Sequence, residues 1–455
     1  MIPLTLAQIA EIVGGERYAE ATVTAPSFLD SRQAVPGGLF VALAGEHSDG
    51  HQHAASAHAA GAAATLAARP VDGPCVVVPD VEAALAALAR HVLDATGPRV
   101  LALTGSQGKT GTKDLLGQVL GRAGTTVATL GNLNNQLGVP LTVLRTTPDT
   151  AYLVLEMGAR GIGHIAELCR IAPPEVAAVL NVGTAHMGEF GSREAIARAK
   201  GEIVEALPAD GTAVLNADDD LVRAMAGRTR ARVLSFGEAG DVRWRGLELD
   251  DLGRPSFELG HDGGWERVRL IQPGAHQVAN AAAAAAMALA AGLPLDEIAQ
   301  GLREAVALSR WRMELHERSD GLVVVNDSYN ANPASMRAAV DALEAIGRRS
   351  GRRTVAVLGV MLELGETAEA EHTDLGRYAA DAGVDVLVTV GADADEIAAG
   401  ARAAAVPPEL VVATAGRDEA TEWVRENVRA RDAVLVKASR GAALDVLADR
   451  LVEDL

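Results

Sequence analysis

The stretch Val100-Leu-Ala-Leu-Thr-Gly-Ser-Gln-Gly-Lys-Thr-Gly-Thr-Lys-Asp-Leu-Leu116 constrains the fold more than any other part of the chain. A short apolar run, Val100 to Leu103, breaks into a turn of small residues, and Gly108-Lys109-Thr110 opens an apolar-periodic helix. Strand, glycine turn, Lys-Thr and helix is the layout of a phosphate cradle. Backbone N–H groups at the helix N-terminus face an anion, the lysine adds a point charge, and the threonine hydroxyl can ligate Mg²⁺. The turn is short, however. The common form is Gly-x-x-x-x-Gly-Lys-Thr, but Leu103 stands where its first glycine belongs and the pattern here is Gly105-x-x-Gly108-Lys109-Thr110.

A chain of 455 residues exceeds what one core usually serves, so two or three domains are expected. The formal charge of −19 argues against a nucleic-acid or anionic-membrane partner. Two cysteines, Cys75 and Cys169, make no disulfide framework and fit a reducing cytosol. No basic residue precedes the apolar stretch that follows Met1, so no secretory signal is predicted there. The alanine-rich run Ala279 to Ala291 is interrupted by Asn280 and reads as a packed helix, not a membrane span. Only four of the 41 basic residues are lysine: Lys109, Lys113, Lys200 and Lys437. A lysine retained in so arginine-rich a chain is a candidate for work that arginine cannot do, as a compact point charge or a nucleophilic amine.

Residues 1–95 read as a small α/β unit, with helices at Leu4–Val13, Ala54–Ala60 and Val81–Leu93 and strands at Gly38–Leu43 and Cys75–Val78. His47, His51, His53 and His58 lack the spacing of a zinc site and are expected to be solvated loop residues. Asp94–Arg99 reads as a linker. Residues 96–311 then alternate strands and helices as a doubly wound, mainly parallel sheet, with strands at Val100–Leu103, Thr126–Thr129, Tyr152–Leu155, Val176–Leu180, Ala213–Leu215 and Val233–Phe236. A β-hairpin region over 242–271 and helices at His276–Ala291 and Leu295–Val306 complete it. Residues 312–455 alternate again, with strands at Leu322–Val325, Val355–Leu358, Val386–Val390, Leu410–Ala413 and Ala433–Val436, and no Gly-x-Gly-x-x-Gly follows any of them. The fold class is thus α/β in three domains.

Ligands bind at the carboxyl edge of such sheets. Glu156, Asn181 and His186 follow strand ends there, and Glu156 is placed to help hold Mg²⁺ beside the cradle. Arg312 and Asp327 flank the boundary between the second and third units; that arginine could stabilise charge on a transferring phosphoryl group. The competing reading of the Asn/Asp/Ser cluster at 326–332 is capping of the helix after Pro333. A P-loop GTPase fails, because the guanine-reading Asn-Lys-x-Asp is missing; Asn216-Ala217-Asp218-Asp219 lacks the lysine.

Taken together, several strings resemble the Mur ligase family over essentially the whole chain. They are Thr104-Gly-Ser-Gln-Gly-Lys-Thr110, Gly131-Asn-Leu-Asn-Asn-Gln-Leu-Gly-Val-Pro140, Glu156-Met-Gly158, Asn181-Val-Gly-Thr-Ala-His186, Ala199-Lys-Gly-Glu202, His276-Gln-Val-Ala-Asn280, Asn326-Asp-Ser-Tyr-Asn-Ala-Asn-Pro333 and Leu358-Gly-Val-Met-Leu-Glu-Leu-Gly365. The shortened glycine turn is the form this family carries. The resemblance implies an N-terminal domain for a uridine nucleotide sugar, a central ATPase and a C-terminal Rossmann-like domain. It implies a cytoplasmic, monomeric, ATP- and Mg²⁺-dependent ligase of peptidoglycan synthesis that joins D-alanyl-D-alanine to UDP-N-acetylmuramoyl-tripeptide through an acyl phosphate. Another Mur ligase or a folylpolyglutamate-type ligase, with a different acceptor, is the alternative.

By the same resemblance, Gly105, Ser106, Gln107, Gly108, Lys109, Thr110 and Gly111 would hold the β- and γ-phosphates, and Arg312 would face the γ-phosphate. Asn280 and Asp327 would lie near adenine and ribose. Thr110, Glu156 and His186 would hold Mg²⁺, and Lys200 matches a lysine that relatives carry as a carbamate. Ser31, Arg32, His47, Asn134 and Asn135 would contact the nucleotide sugar. Gln107 replaces the family's usual serine, and Val360 stands where the family often has aspartate.

Overall fold

The computed structural model describes residues 1–45, 48–183 and 190–453. The apolar run of the cradle strand, Arg99–Thr104, is buried on both faces and lies inside six parallel strands. The order is Arg232–Phe236, Thr212–Asn216, Val176–Val179, Arg99–Thr104, Tyr152–Glu156, Thr126–Ala128. The chain leaves the cradle strand for the edge at Thr126–Ala128, returns at Tyr152–Glu156, then crosses to Val176–Val179 on the other side. A doubly wound sheet reverses in this way, and crevices open at such a switch point.

The helices Lys109–Ala123, Gln277–Ala290 and Leu295–Glu304 cover one face of this sheet. The other face packs against the helices His164–Ile171 and Arg193–Glu205, and its apolar core runs unbroken into the N-terminal unit. The expected hairpin region is a three-stranded antiparallel sheet, Arg243–Leu249, Pro255–His261 and Gly264–Arg269. Its second turn is Asp262-Gly263 with both φ angles positive (+48° and +82°), the conformation that matches strand twist.

In the N-terminal unit, Leu39–Val41, Ala64–Ala67 and Cys75–Val77 run parallel, with Glu16–Tyr18 antiparallel at the edge. The expected helix from Leu4 begins at Leu6: Leu4–Thr5 pairs with Thr22–Val23, and Thr5 and Gln8 form a capping box. The third unit has six strands, five of them parallel. The sixth, Glu314–Glu317, is an antiparallel edge strand too polar to stand out by pattern. Among the described residues no helix is long and apolar enough to cross a membrane.

Candidate active site

Register brings the first residues of the site together. Glu156 pairs opposite Leu103 and Val179 opposite Thr104, so Glu156, the glycine turn and Asn181 all leave the sheet at one carboxyl edge. Gly108 has φ +79°, and a Cβ on it would lie 2.4 Å from Asn280 Oδ1. Only glycine lets the turn enter its helix with Asn280 so close. Lys109 Nζ donates to the Gly105 carbonyl at 2.8 Å. Thr110 Oγ1 donates to Glu156 Oε2 at 2.9 Å, and Asn134 Nδ2 donates to Glu156 Oε1 at 2.8 Å. Glu156 is 2% exposed. A hydroxyl and a carboxylate are the hard oxygen donors that Mg²⁺ takes while keeping several waters, so these two fit that ion. His186 and His47 lie outside the described residues, among which no group of three His, Cys, Asp or Glu side chains is arranged to hold a metal.

The shortened turn has a brace that no spacing argument supplies. The backbone N–H groups of Ser106 and Gln107 both donate to Asn181 Oδ1 at 3.0 Å, and Asn181 Nδ2 donates to the Gln107 carbonyl at 3.1 Å. Ser106 Oγ accepts from the Gly183 N–H at 2.9 Å. The amides of Ser106 and Gln107, expected to face phosphate, are thus committed to Asn181. The donors left open at the turn are those of the first helical turn, Gly108 to Gly111, whose N–H groups have no partner within the helix. Gln107 Oε1 is buried without a hydrogen-bond partner among the described residues.

The other lysines also lie inside. Lys200 is 6% exposed on the helix Arg193–Glu205. Burial, and then the charge of Lys109, holds its amine well below the ordinary value of 10.5. Surface salt bridging is therefore not its role. The Lys-Gly-Glu string around it builds the helix's seat. A Cβ on Gly201 would strike the Arg228 guanidinium, and Arg228 donates to the carbonyls of Ala197 and Arg198. Glu202 accepts from the N–H groups of Gly163 (2.6 Å) and Ala166 (3.0 Å), capping the helix His164–Ile171. The Lys109 amine is likewise lowered by burial; the charge of Glu156 opposes this and that of Arg312 adds to it.

Arg312 lies with its guanidinium 4.0 Å over the Tyr329 ring. Asp327 Oδ1 accepts the Met313 N–H at 3.0 Å. The helix Pro333–Ser350 is capped by Asn332 and Ser335, so Asp327 is free of the capping role considered for its cluster. The backbone carbonyl of Val360 accepts from the Ser439 N–H at 3.0 Å.

The expected sugar-contacting residues are less gathered. Ser31 and Arg32 sit in a 3₁₀ turn, where Arg32 pairs with Asp30. Asn134 holds Glu156, while Asn135 Oδ1 accepts from the Gly138 N–H at 2.9 Å. A cavity of about 510 Å³ lies between the first and second units, lined among others by Leu43, His51, Asp80, Gln136 and Glu167. His51 and His58 are not solvated as expected. His51 is bonded to Asp49 and accepts from the Ala68 N–H, and His58 meets Thr65 and the Ala62 carbonyl.

The Mur ligase middle domain matches residues 103–288, and the Mur ligase glutamate ligase domain matches residues 311–440. The chain is 47% identical to UDP-N-acetylmuramoyl-tripeptide–D-alanyl-D-alanine ligase of Mycobacterium tuberculosis, over 100% of this chain and 98% of that one. It is similar to a crystal structure of MurF from Acinetobacter baumannii, with TM-score 0.88, 35% identity and 99% of each chain covered. It also matches MurF ligase from Thermotoga maritima in complex with ADP, with TM-score 0.81, 30% identity and 95% and 98% covered. Cradle, braced turn and buried lysines stand in the segments these matches span, and the chain belongs to the Mur ligase family.

Proposed function

We propose that this chain is the ATP-dependent ligase that joins D-alanyl-D-alanine to UDP-N-acetylmuramoyl-tripeptide in peptidoglycan precursor synthesis. The observation that carries the reading is the convergence of Lys109, Thr110 and Glu156 at one sheet edge, in a chain matched over its full length by relatives named for that activity. The N–H groups of Gly108 to Gly111 and the Lys109 ammonium hold the β- and γ-phosphates of ATP, and Arg312 draws charge from the transferring phosphoryl group. A carboxylate oxygen of the tripeptide attacks the γ-phosphorus, and the bond to ADP breaks. The amine of D-alanyl-D-alanine attacks the acyl carbon of the resulting acyl phosphate. The C–N bond forms, the amine proton leaves, and phosphate departs.

Thr110, Glu156 and His186 would hold Mg²⁺, which would neutralise phosphate charge when bound. The lowered proton affinity of Lys200 favours the free amine, the form that takes up CO₂ as a carbamate and becomes an oxygen donor. The 510 Å³ cavity between the first two units is the seat proposed for the nucleotide sugar, and Ser31 and Arg32, on a 3₁₀ turn of the first unit, are proposed to contact it as well. Asn280 and Asp327 serve the nucleoside, and the protein acts as a cytoplasmic monomer in three domains, 1–95, 96–311 and 312–455.

Purified protein with ATP, Mg²⁺, the UDP-muramoyl tripeptide and D-alanyl-D-alanine is expected to release phosphate only when all components are present. Silence of the complete mixture would overturn the reading, and turnover with another acceptor amine in place of D-alanyl-D-alanine would redirect it. Lys200→Ala is expected to lower turnover at least about 100-fold, the scale of losing a group that organises transition-state charge, with short carboxylic acids restoring part of it. Wild-type turnover in that variant would remove the carbamate role.

A further inference from the structure

The structure assigns Lys437 a positioning role for Arg312, an inference that rests on the reading of Arg312 as the cation at the transferring phosphoryl group. Lys437 ends the strand Ala433–Lys437 inside the third unit's sheet and is 2% exposed. Its Nζ donates to Asp327 Oδ2 and, at 2.8 Å, to the Asn330 carbonyl. An ammonium so deeply buried persists only where its donors are satisfied. A compact ammonium can serve a carboxylate and a main-chain carbonyl from one point, whereas a planar guanidinium needs a broader opening. That accounts for a lysine here in a chain that uses arginine almost everywhere else.

What Lys437 holds is the mounting of Arg312. The second oxygen of Asp327 accepts the Met313 N–H, one bond along the chain from Arg312. Met313 and Trp311, on either side of Arg312, both have left-handed backbones, with φ +49° and +61°. Such a conformation is strained for a bulky residue, and it survives only when neighbours enforce it. Asp327 enforces it at Met313. At Trp311 the N–H donates to Glu314 Oε2 at 2.9 Å and the carbonyl accepts the Tyr329 N–H at 3.1 Å. Tyr329 is also the ring on which the Arg312 guanidinium rests. Lys437 therefore fixes the backbone pinch through Asp327 and the aromatic platform through Asn330, the residue after Tyr329.

The test is steady-state kinetics of the full chain as wild type, R312K, K437M and the double variant, with melting temperatures as a check on folding. R312K keeps a cation but gives up the planar fork. K437M is expected to lower kcat by up to about 100-fold, the cost of misplacing a charge by roughly 1 Å. The KM for D-alanyl-D-alanine should stay within about threefold, since that substrate does not depend on how the arginine is aimed. The double variant is expected to be no slower than R312K alone, because the lysine acts through a fork that R312K has already lost. Should K437M fail to fold, K437Q, which retains an amide donor for Asp327, takes its place with the same non-additivity expected. Wild-type kcat in a folded lysine variant, or losses that multiply in the double variant, would overturn the inference. These outcomes are separable from failure of the underlying reading, which appears instead as a silent wild type or as R312K with wild-type kcat.

Discussion

Burial of His276 at the start of the helix Gln277–Ala290 pulls its proton affinity below the ordinary imidazole value of 6.5; Asp327 and Asp341 oppose this and Lys437 reinforces it. The unfolded chain therefore binds a proton at a pH where the folded one does not. This histidine's share of stability is complete above pH 6.5 and is lost as pH falls from there through the lower, folded value. Each tenfold depression of proton affinity makes the folded state about 1.4 kcal/mol more sensitive to acid. His276→Gln, which does not titrate, is expected to flatten the stability profile as pH falls below 6.5, relative to wild type. Urea titrations of both proteins across that range would show it, and parallel profiles would refute it. Scarcity singled out four lysines, yet a count cannot say that Lys113 reaches the Thr129 carbonyl or that Lys437 reaches Asp327. Spacing places the histidines at 51 and 58 in water, because their partners, the Ala68 amide and Thr65, come from segments that spacing does not bring near.

The cradle is the element whose local chemistry and tertiary setting agree most closely. Gly108→Ala would place a Cβ 2.4 Å from Asn280 Oδ1 on a backbone that L-residues avoid. The left-handed backbone alone costs about 1–2 kcal/mol, and the clash adds to it. ADP affinity is expected to fall at least about tenfold, the factor equivalent to 1.4 kcal/mol, as measured by calorimetry on a variant that still folds. Undiminished affinity would mean that the first helical turn is not the anion seat. Strand, turn and helix here were legible because each is set by near neighbours in sequence. The brace by Asn181 was not, although its position after a strand end was: two amides meeting one side-chain oxygen depend on a parallel register across 75 residues. For the same reason the edge strands Glu16–Tyr18 and Glu314–Glu317, whose residues are largely polar, carried no periodic signal; pairing alone makes them strands.

At the scale of the whole molecule, the apolar core beneath one face of the central sheet is continuous with that of the N-terminal unit, from Met1 and Leu6 through Leu155 to Met225. The third unit has its own cores on either side of its sheet. Scanning calorimetry is therefore expected to show residues 1–305 unfolding together and the third unit in a separable transition. Removing residues 1–97 should lower the melting temperature of the central unit by exposing Val139, Leu144 and Ile165; an unchanged value would count against a shared core. The inward placement of the lysines has a practical counterpart. Lys113, Lys200 and Lys437 are all 6% exposed or less, and only Lys109, at the cradle mouth, is partly open. A mild acylating reagent thus finds a single reachable lysine in the native chain, and that lysine lies where the nucleotide is proposed to sit. Mass spectrometry of labelled peptides with and without ADP becomes an occupancy gauge one residue wide, while labels on Lys113 or Lys437 mark molecules that have come undone.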